Sequence, residues 1–367
     1  MSGVMEYLKR AVEDQASDLF FVAGGAVSEK LDGRLCPIGE GRLLPPDTER
    51  LIAEIYEMAK RSMETYLQAG DDDFSFAVPG LARFRVNAYR QRGSLAAVIR
   101  IVSFDIPDWR ELHIPQQVMD LAEVKSGLVL VTGTAGSGKS TTQACIIDRI
   151  NKSRSCHIIT LEDPIEFLHR NQRSIISQRE IAVDTTDFLS ALRSCLRQAP
   201  DVILLGEMRD AETIRTAMTA AETGHTVLAT LHTNGTANTI DRIIDAFPGQ
   251  QQAQVRAQLS MVLRTVVSQQ LVRDEQGGQV PAFEIMHTNS AVRSLIREGR
   301  THQLLATMAA SGGEGMITLD QSLLALCRKG LISREIALDS AENPEQMERR
   351  LKQNLGADRQ GRENKEV

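Results

Sequence analysis

The chain has 367 residues, 42% of them hydrophobic and 25% charged, with a formal net charge of -6. That length suits two domains and a tail rather than one domain, and the composition is that of a globular protein with a sizeable core. The acidic balance argues against broad nucleic-acid binding through a basic surface, a local basic patch aside.

No apolar run approaches the ~18 residues of a spanning helix, and the opening MSGVMEYLKR lacks the basic-then-apolar layout of a signal peptide, so a cytoplasmic location is expected. Cys36, Cys145, Cys156, Cys195 and Cys327 are scattered without a CxxC pair, which fits reduced thiols rather than a disulfide frame or a zinc site.

In chain order, SDLFFVAG reads as a short strand ending at Gly24 and Gly25, followed by the alternating VSEKLDGRLCPI. After Pro45-Pro46, read as a stop, DTERLIAEIYEMAKRSMETYLQ carries Leu51, Ile52, Ile55, Met58, Ala59 and Met63 at helical spacing, with Asp47 and Thr48 as N-cap candidates. FSFAV, LARFRVNAYRQ and SLAAVIRIV alternate like an antiparallel meander broken at Pro79-Gly80 and Arg92-Gly93. These pieces predict a small α/β domain over 1–104. FDIPDWRELHIPQQV reads as a linker over 105–120.

Over 121–343 the pattern changes to fully apolar strands, GLVLVTG, HIITLED, DVILLGE and TVLATLH, separated by helical stretches, as in a parallel sheet covered on both faces and with the order of parts of a RecA-like core. From Pro344 to 367 the sequence is charged and poor in apolar residues, and it reads as a frayed helix running into disorder.

GTAGSGKS fits G-x-x-x-x-G-K-[ST] between a buried strand and a helix. The backbone of Gly133, Thr134, Ala135, Gly136, Ser137 and Gly138 is suited to phosphate, Lys139 to the β/γ-phosphates and Ser140 to Mg²⁺. VILLGEMRD ends a buried strand at Glu207, suited to orient or deprotonate water, with a solvated strand-end carboxylate as the alternative. LEDPIEF sets Glu162, Asp163 and Glu166 at a strand end, where three carboxylates call for a cation unless the turn is merely exposed. His232 in ATLHTN is placed to sense a γ-phosphate, and His225 precedes that strand; each is as readily a satisfied core histidine. Arg83, Arg85, Arg90, Arg92 and Arg100 cluster on the meander, for phosphate recognition in trans or as a solvated basic face. The only near match to a guanine-reading element, NKSR at 151–154, lacks its aspartate, so ATP is expected over GTP.

In this order, GTAGSGKSTT, LEDPIEF, LLGEMRDAETIRTAMTAAETGH, TLHTN and TIDRIIDAFP resemble the secretion ATPase superfamily, and within it the PilT/PilU family of type IV pilus retraction motors, over roughly residues 5 to 345. The resemblance implies a PAS-like N-terminal domain, a RecA-like C-terminal domain and a homo-hexamer with ATP between the domains. It assigns Lys139, Ser140 and Thr141 to phosphates and Mg²⁺, Glu166 to an acidic box that helps hold Mg²⁺ partly through water, Glu207 to the Walker B catalytic role, His225 and His232 to a histidine box, and Arg83 and Arg85 to the phosphates. AVRSLIRE at 291–298 resembles an element that retraction requires, and is also an amphipathic helix in its own right.

Assembly ATPases of the superfamily carry a four-cysteine zinc element and a longer N-terminus, which this sequence lacks. Departures are Thr134-Ala135 in place of Pro-Thr and SDLFF in place of SDLHL; LRQAPDVIL and SQQLV look PilU-like, whereas GEMRD, TLHT and LIRE look PilT-like. The expectation is a motor at the inner face of the cytoplasmic membrane that turns ATP hydrolysis into pilin disassembly through a PilC-like platform protein, with a PilT/PilU paralogue as a further partner and no nucleic acid. The rivals are an accessory PilU-like subunit with weak ATPase activity and a nucleic-acid motor on the same core.

Overall fold

The structure, a computed structural model, describes residues 3–352 apart from 32, 40 and 103. The chain divides into two compact units, Met1–Ile106 with Ile165–Arg170, and Pro107–Pro164 with Asn171 onward.

The first unit runs α1 (Val4–Glu13), β1 (Asp18–Phe21), β2 (Ser28–Leu31), β3 (Arg34–Pro37), α2 (Pro45–Met58), α3 (Glu64–Ala69), β4 (Asp71–Val78), β5 (Ala82–Gln91) and β6 (Ser94–Val102). Its sheet has the order β3-β2-β1-β6-β5-β4, antiparallel throughout. Alternation sends Phe84, Val86 and Ala88 of β5 inward to meet Leu8 of α1 and Leu51, Ile52 and Ile55 of α2. This is the small α/β domain and the meander that the sequence pattern predicts.

Two local expectations are corrected. Pro45-Pro46 does not stop the chain; it opens α2, because proline costs nothing at the first helical positions, where N–H groups lack partners. Leu44 is therefore the N-cap, and Asp47 lies inside the first turn, accepting from Leu44 N at 2.8 Å. The single helix read over 47–68 is two, because Lys60 takes φ 52° and Arg61 turns to donate to Asp72 at 2.8 and 2.9 Å.

The second unit contains α4 (Gln116–Met119), β7 (Gly127–Thr132), α5 (Lys139–Ser153), β8 (His157–Glu162), β9 (Ile175–Glu180), α6 (Phe188–Cys195), β10 (Val202–Leu205), α7 (Ala211–Glu222) and β11 (Thr226–Leu231). It continues with α8 (Thr236–Asp245), α9 (Gly249–Val262), β12 (Leu263–Arg273), β13 (Gln279–His287), α10 (Ser290–Glu298), α11 (Leu304–Ala310), α12 (Leu319–Arg328) and α13 (Arg334–Asp339). Its sheet has the order β13-β12-β7-β11-β10-β8-β9, parallel except for the β12–β13 hairpin. The strand before the glycine-rich loop, β7, thus sits between β11 and β12, the arrangement of a RecA-like core. The four strands read from sequence all belong to it; β9, β12 and β13 were not foreseen.

The stretch read as a linker is packed within the second unit from Pro107 on: Ile114, Val118 and Met119 are buried and α4 is helical. The tail reading is corrected over 344–352, which is helical, because Met347 and Leu351 bury themselves against Leu323 and Ile332. Its remainder, 353–367, lies outside the described residues.

Candidate nucleotide site

In a parallel sheet the carboxyl ends of the strands share one edge, where ligands of open α/β folds bind. Register sets Leu231 opposite Thr132, and Leu205 opposite Ala229 and Leu161, so β7, β11, β10 and β8 deliver the glycine-rich loop, His232, Glu207 and Glu162 to that edge.

The loop's glycines are there for close approach. A Cβ on Gly133 would lie 2.2 Å from Gln269 O and 2.5 Å from Ser137 Oγ, and one on Gly138 2.8 Å from Gln269 Nε2. Their φ values of 145° and 86° exclude a side chain as well. Thr134, Ala135 and Gly136 are exposed, so backbone N–H groups at the tip are open to a ligand. Ser137 is 3% exposed, and its Oγ has no partner, as expected of a donor kept for an anion. Gln269 also accepts from Thr142 Oγ1 at 2.7 Å, which ties β12 to α5.

Lys139 is buried; its Nζ donates to Gly133 O at 2.9 Å and Thr134 O at 2.8 Å, and stands 3.5 Å from His232 Nδ1. An ammonium has only hydrogens to offer, so Nδ1 is the accepting nitrogen and the imidazole proton is on Nε2. That Nε2 lies 3.4 Å from Glu207 Oε1. Glu207 Oε2 accepts from Arg209 Nε at 2.7 Å, and this carboxylate, with Asp163 as a smaller influence, pushes the Arg209 guanidinium further up. Thr230 Oγ1 donates to Gly206 O, and Met208 N donates to Thr230 O at 3.1 Å, holding the turn that carries Glu207 against β11.

Of the residues singled out in the sequence, the structure gathers the loop, Lys139, Ser140, Glu207 and His232. His225 is a correction: it precedes Thr226, which pairs with Gly127 at the start of β7, so it lies at the opposite edge, roughly 20 Å away over six residues of strand. There its Nδ1 donates to Ala220 O at 2.9 Å, a structural role. The carboxylates of LEDPIEF do not form a preassembled metal group. Glu162 Oε1 accepts from Thr160 Oγ1 at 2.6 Å and Gln178 Nε2 at 3.2 Å, Glu166 falls in the Ile165–Arg170 stretch of the first unit, and no metal-holding group of three or more His, Cys, Asp or Glu exists among the described residues.

Arg83 and Arg85 belong to the first unit, on the face of β5 away from its core; Arg85 pairs in register with Arg100, which bonds Asp18 at 3.0 Å. Arg100 thus has a use inside its own domain. NKSR ends α5, where Asn151 accepts from Gln172 N at 3.1 Å. Arg209 and Gln269 are the residues sequence reasoning missed. Arg209 stands inside the quoted GEMRD, two residues beyond Glu207, and that spacing was the available signal; Gln269, 130 positions from Lys139, left none.

No helix among the described residues is long and apolar enough to cross a membrane. A sequence model of the Type II/IV secretion system protein family matches residues 2–301. The chain is 45% identical over 347 residues to the type IV pilus retraction ATPase PilT of Pseudomonas aeruginosa, covering 93% of this chain and 99% of that one. It is 39% identical over 352 residues to the type IV pilus ATPase PilU of the same organism, covering 96% and 91%. The crystal structure of the pilus retraction motor PilT with bound ADP superposes with a TM-score of 0.86 at 44% identity, covering 95% of this chain and all of that one. The chain therefore belongs to the Type II/IV secretion system protein family, in its PilT/PilU group of pilus ATPases.

Proposed function

We propose that this chain is the ATPase motor of type IV pilus retraction, working as a homo-hexamer that couples ATP hydrolysis to pilin disassembly. The observation that carries the chemistry is the bridge from Lys139 through His232 to Glu207, which links a phosphate-binding ammonium to a carboxylate at one sheet edge. Greater identity to PilT than to PilU favours retraction as its own activity over an accessory role.

The residues fit a nucleotide triphosphate: an exposed run of loop N–H groups, the unpartnered Ser137 hydroxyl and Lys139 answer its phosphates. They also fit Mg²⁺ held in the usual way of such loops, by the Ser140 hydroxyl with phosphate oxygens and water rather than by a cage of carboxylates. Held there, Mg²⁺ would supply charge neutralisation to the phosphates. On binding, the phosphates draw the Lys139 ammonium from the loop carbonyls, which frees His232 Nδ1 to report their presence. Glu207, held by Arg209 and His232, orients the attacking water and takes its proton.

Glu166 as an outer partner of Mg²⁺, and Arg83 and Arg85 on the phosphates, are proposed on the family resemblance alone. So are a PilC-like platform protein as the load, a PilT/PilU paralogue as a second partner, and recruitment to the cytoplasmic membrane face.

The test is ATP hydrolysis by purified wild type beside Glu207→Gln, with oligomer mass read from the same samples. Hydrolysis in a hexamer, abolished by the substitution, is expected. An inactive wild type that becomes active only with a paralogue added would move the chain to an accessory role.

A further inference from the structure

Beside the loop that follows His232, the second unit holds a cavity of about 250 Å³ bounded by Asn234, Gly235, Gln270, Glu284 and Glu342. Asn234, Asn238 and Glu342 are exposed, so the cavity has a mouth. Glu284 is 1% exposed; its Oε1 accepts from Thr236 N, and its Oε2 has no partner. Gln270 Nε2 is likewise buried without an acceptor. Glu342 is exposed as a residue, but partial desolvation of its carboxyl, then the charges of Glu284 and Asp320, push that carboxyl up to about 7. Asp320 is itself occupied, accepting from the Glu342 and Asn343 amides at 2.9 and 3.3 Å.

Among the described residues, no Lys, Arg or His lines the cavity. A buried carboxylate oxygen without a donor or counter-charge is unfavourable. Water supplies donors and no charge. A bare metal ion fits poorly, because the carboxylates do not form a ligand group and the space is far larger than one ion. A volume of this size equals several waters, enough for a small organic group.

We propose that this cavity is a second binding site, which takes an ammonium or guanidinium group against Glu284 and Glu342 and an adjoining oxygen against Gln270. The site is separate from the nucleotide yet close to it, since its wall includes Gln269, which packs on Gly133 and Gly138.

Isothermal titration of the full chain with argininamide tests it, with agmatine, which lacks the oxygen, and tetramethylammonium, which lacks N–H donors, as comparisons. Saturable binding of argininamide is expected, with agmatine several-fold weaker, tetramethylammonium silent, and a loss of tenfold or more in Glu284→Gln and Glu342→Gln. Gln270→Leu should weaken argininamide and leave agmatine unchanged. Glu342 is exposed, so its variant reports even where Glu284→Gln does not fold. A capped Gly-Arg-Gly peptide separates the sources: binding as tight as argininamide marks a partner's side chain, and no binding marks a free small molecule. Absence of saturable binding to the wild type, equal binding by Glu342→Gln, or displacement by equimolar potassium would overturn the site, and none of these readouts depends on ATP hydrolysis.

Discussion

Glu207 is gripped from two sides, by Arg209 Nε at 2.7 Å and His232 Nε2 at 3.4 Å, so its carboxylate has a set direction before any nucleotide arrives. Glu207→Gln keeps the shape and removes the proposed base; hydrolysis should fall by about 10²–10⁴-fold while nucleotide affinity changes little, as single-turnover and binding measurements would show. His232→Ala removes a contact to that carboxylate and should cost about 10–100-fold in rate. Gly133→Ala is a different kind of change. Its Cβ would meet Gln269 O at 2.2 Å, so both thermal stability and nucleotide binding should drop, by about 1–3 kcal/mol or more in stability. In the first unit, burial opposes ionisation of Asp72, but the bonds from Arg61 and Tyr56 outweigh it and leave its carboxyl below the usual value. A lowered carboxyl stabilises the fold above its unfolded value of about 4 and loses that contribution as pH falls through the folded one. Wild type should therefore lose thermal stability in acid below about pH 4, and Asp72→Asn should flatten that dependence while lowering stability at neutral pH.

Among the elements, α10 separates a packing role from a functional one. Val292 and Ile296 are fully buried and pack in the main core of the second unit, whereas Arg297 and Glu298 are exposed. Deleting 291–298 would therefore unfold the unit and say nothing about retraction. Ile296→Ala should cost about 2–5 kcal/mol in unfolding experiments. Arg297→Ala should leave stability and hydrolysis near wild type, and twitching assays then report whether the exposed face engages the machinery; wild-type motility in that variant and in Glu298→Ala would remove α10's surface from the retraction mechanism.

For the whole molecule, a net charge of -6 and a loop suited to phosphates set the expected partners. Added DNA or RNA should leave the hydrolysis rate unchanged at low salt, where nucleic-acid motors respond most. A several-fold stimulation would favour the nucleic-acid motor instead.

What the sequence determined by itself was whatever lies in one contiguous stretch. The phosphate loop is legible because Gly133, Gly138, Lys139 and Ser140 occupy one turn between a strand and a helix, and backbone conformation is a local property. The buried strands and the β4–β6 meander are legible for the same reason, since alternation and turn residues are near neighbours. Tertiary structure alone decided which distant residues meet. His225 and His232 look equivalent in a row of letters, yet a strand of six residues carries them to opposite edges of the sheet. Gln269 arrives at Gly133 from a strand 136 residues later because β12 pairs with β7. Pairing of strands is a long-range choice made by burial over the whole core, and no local pattern encodes it.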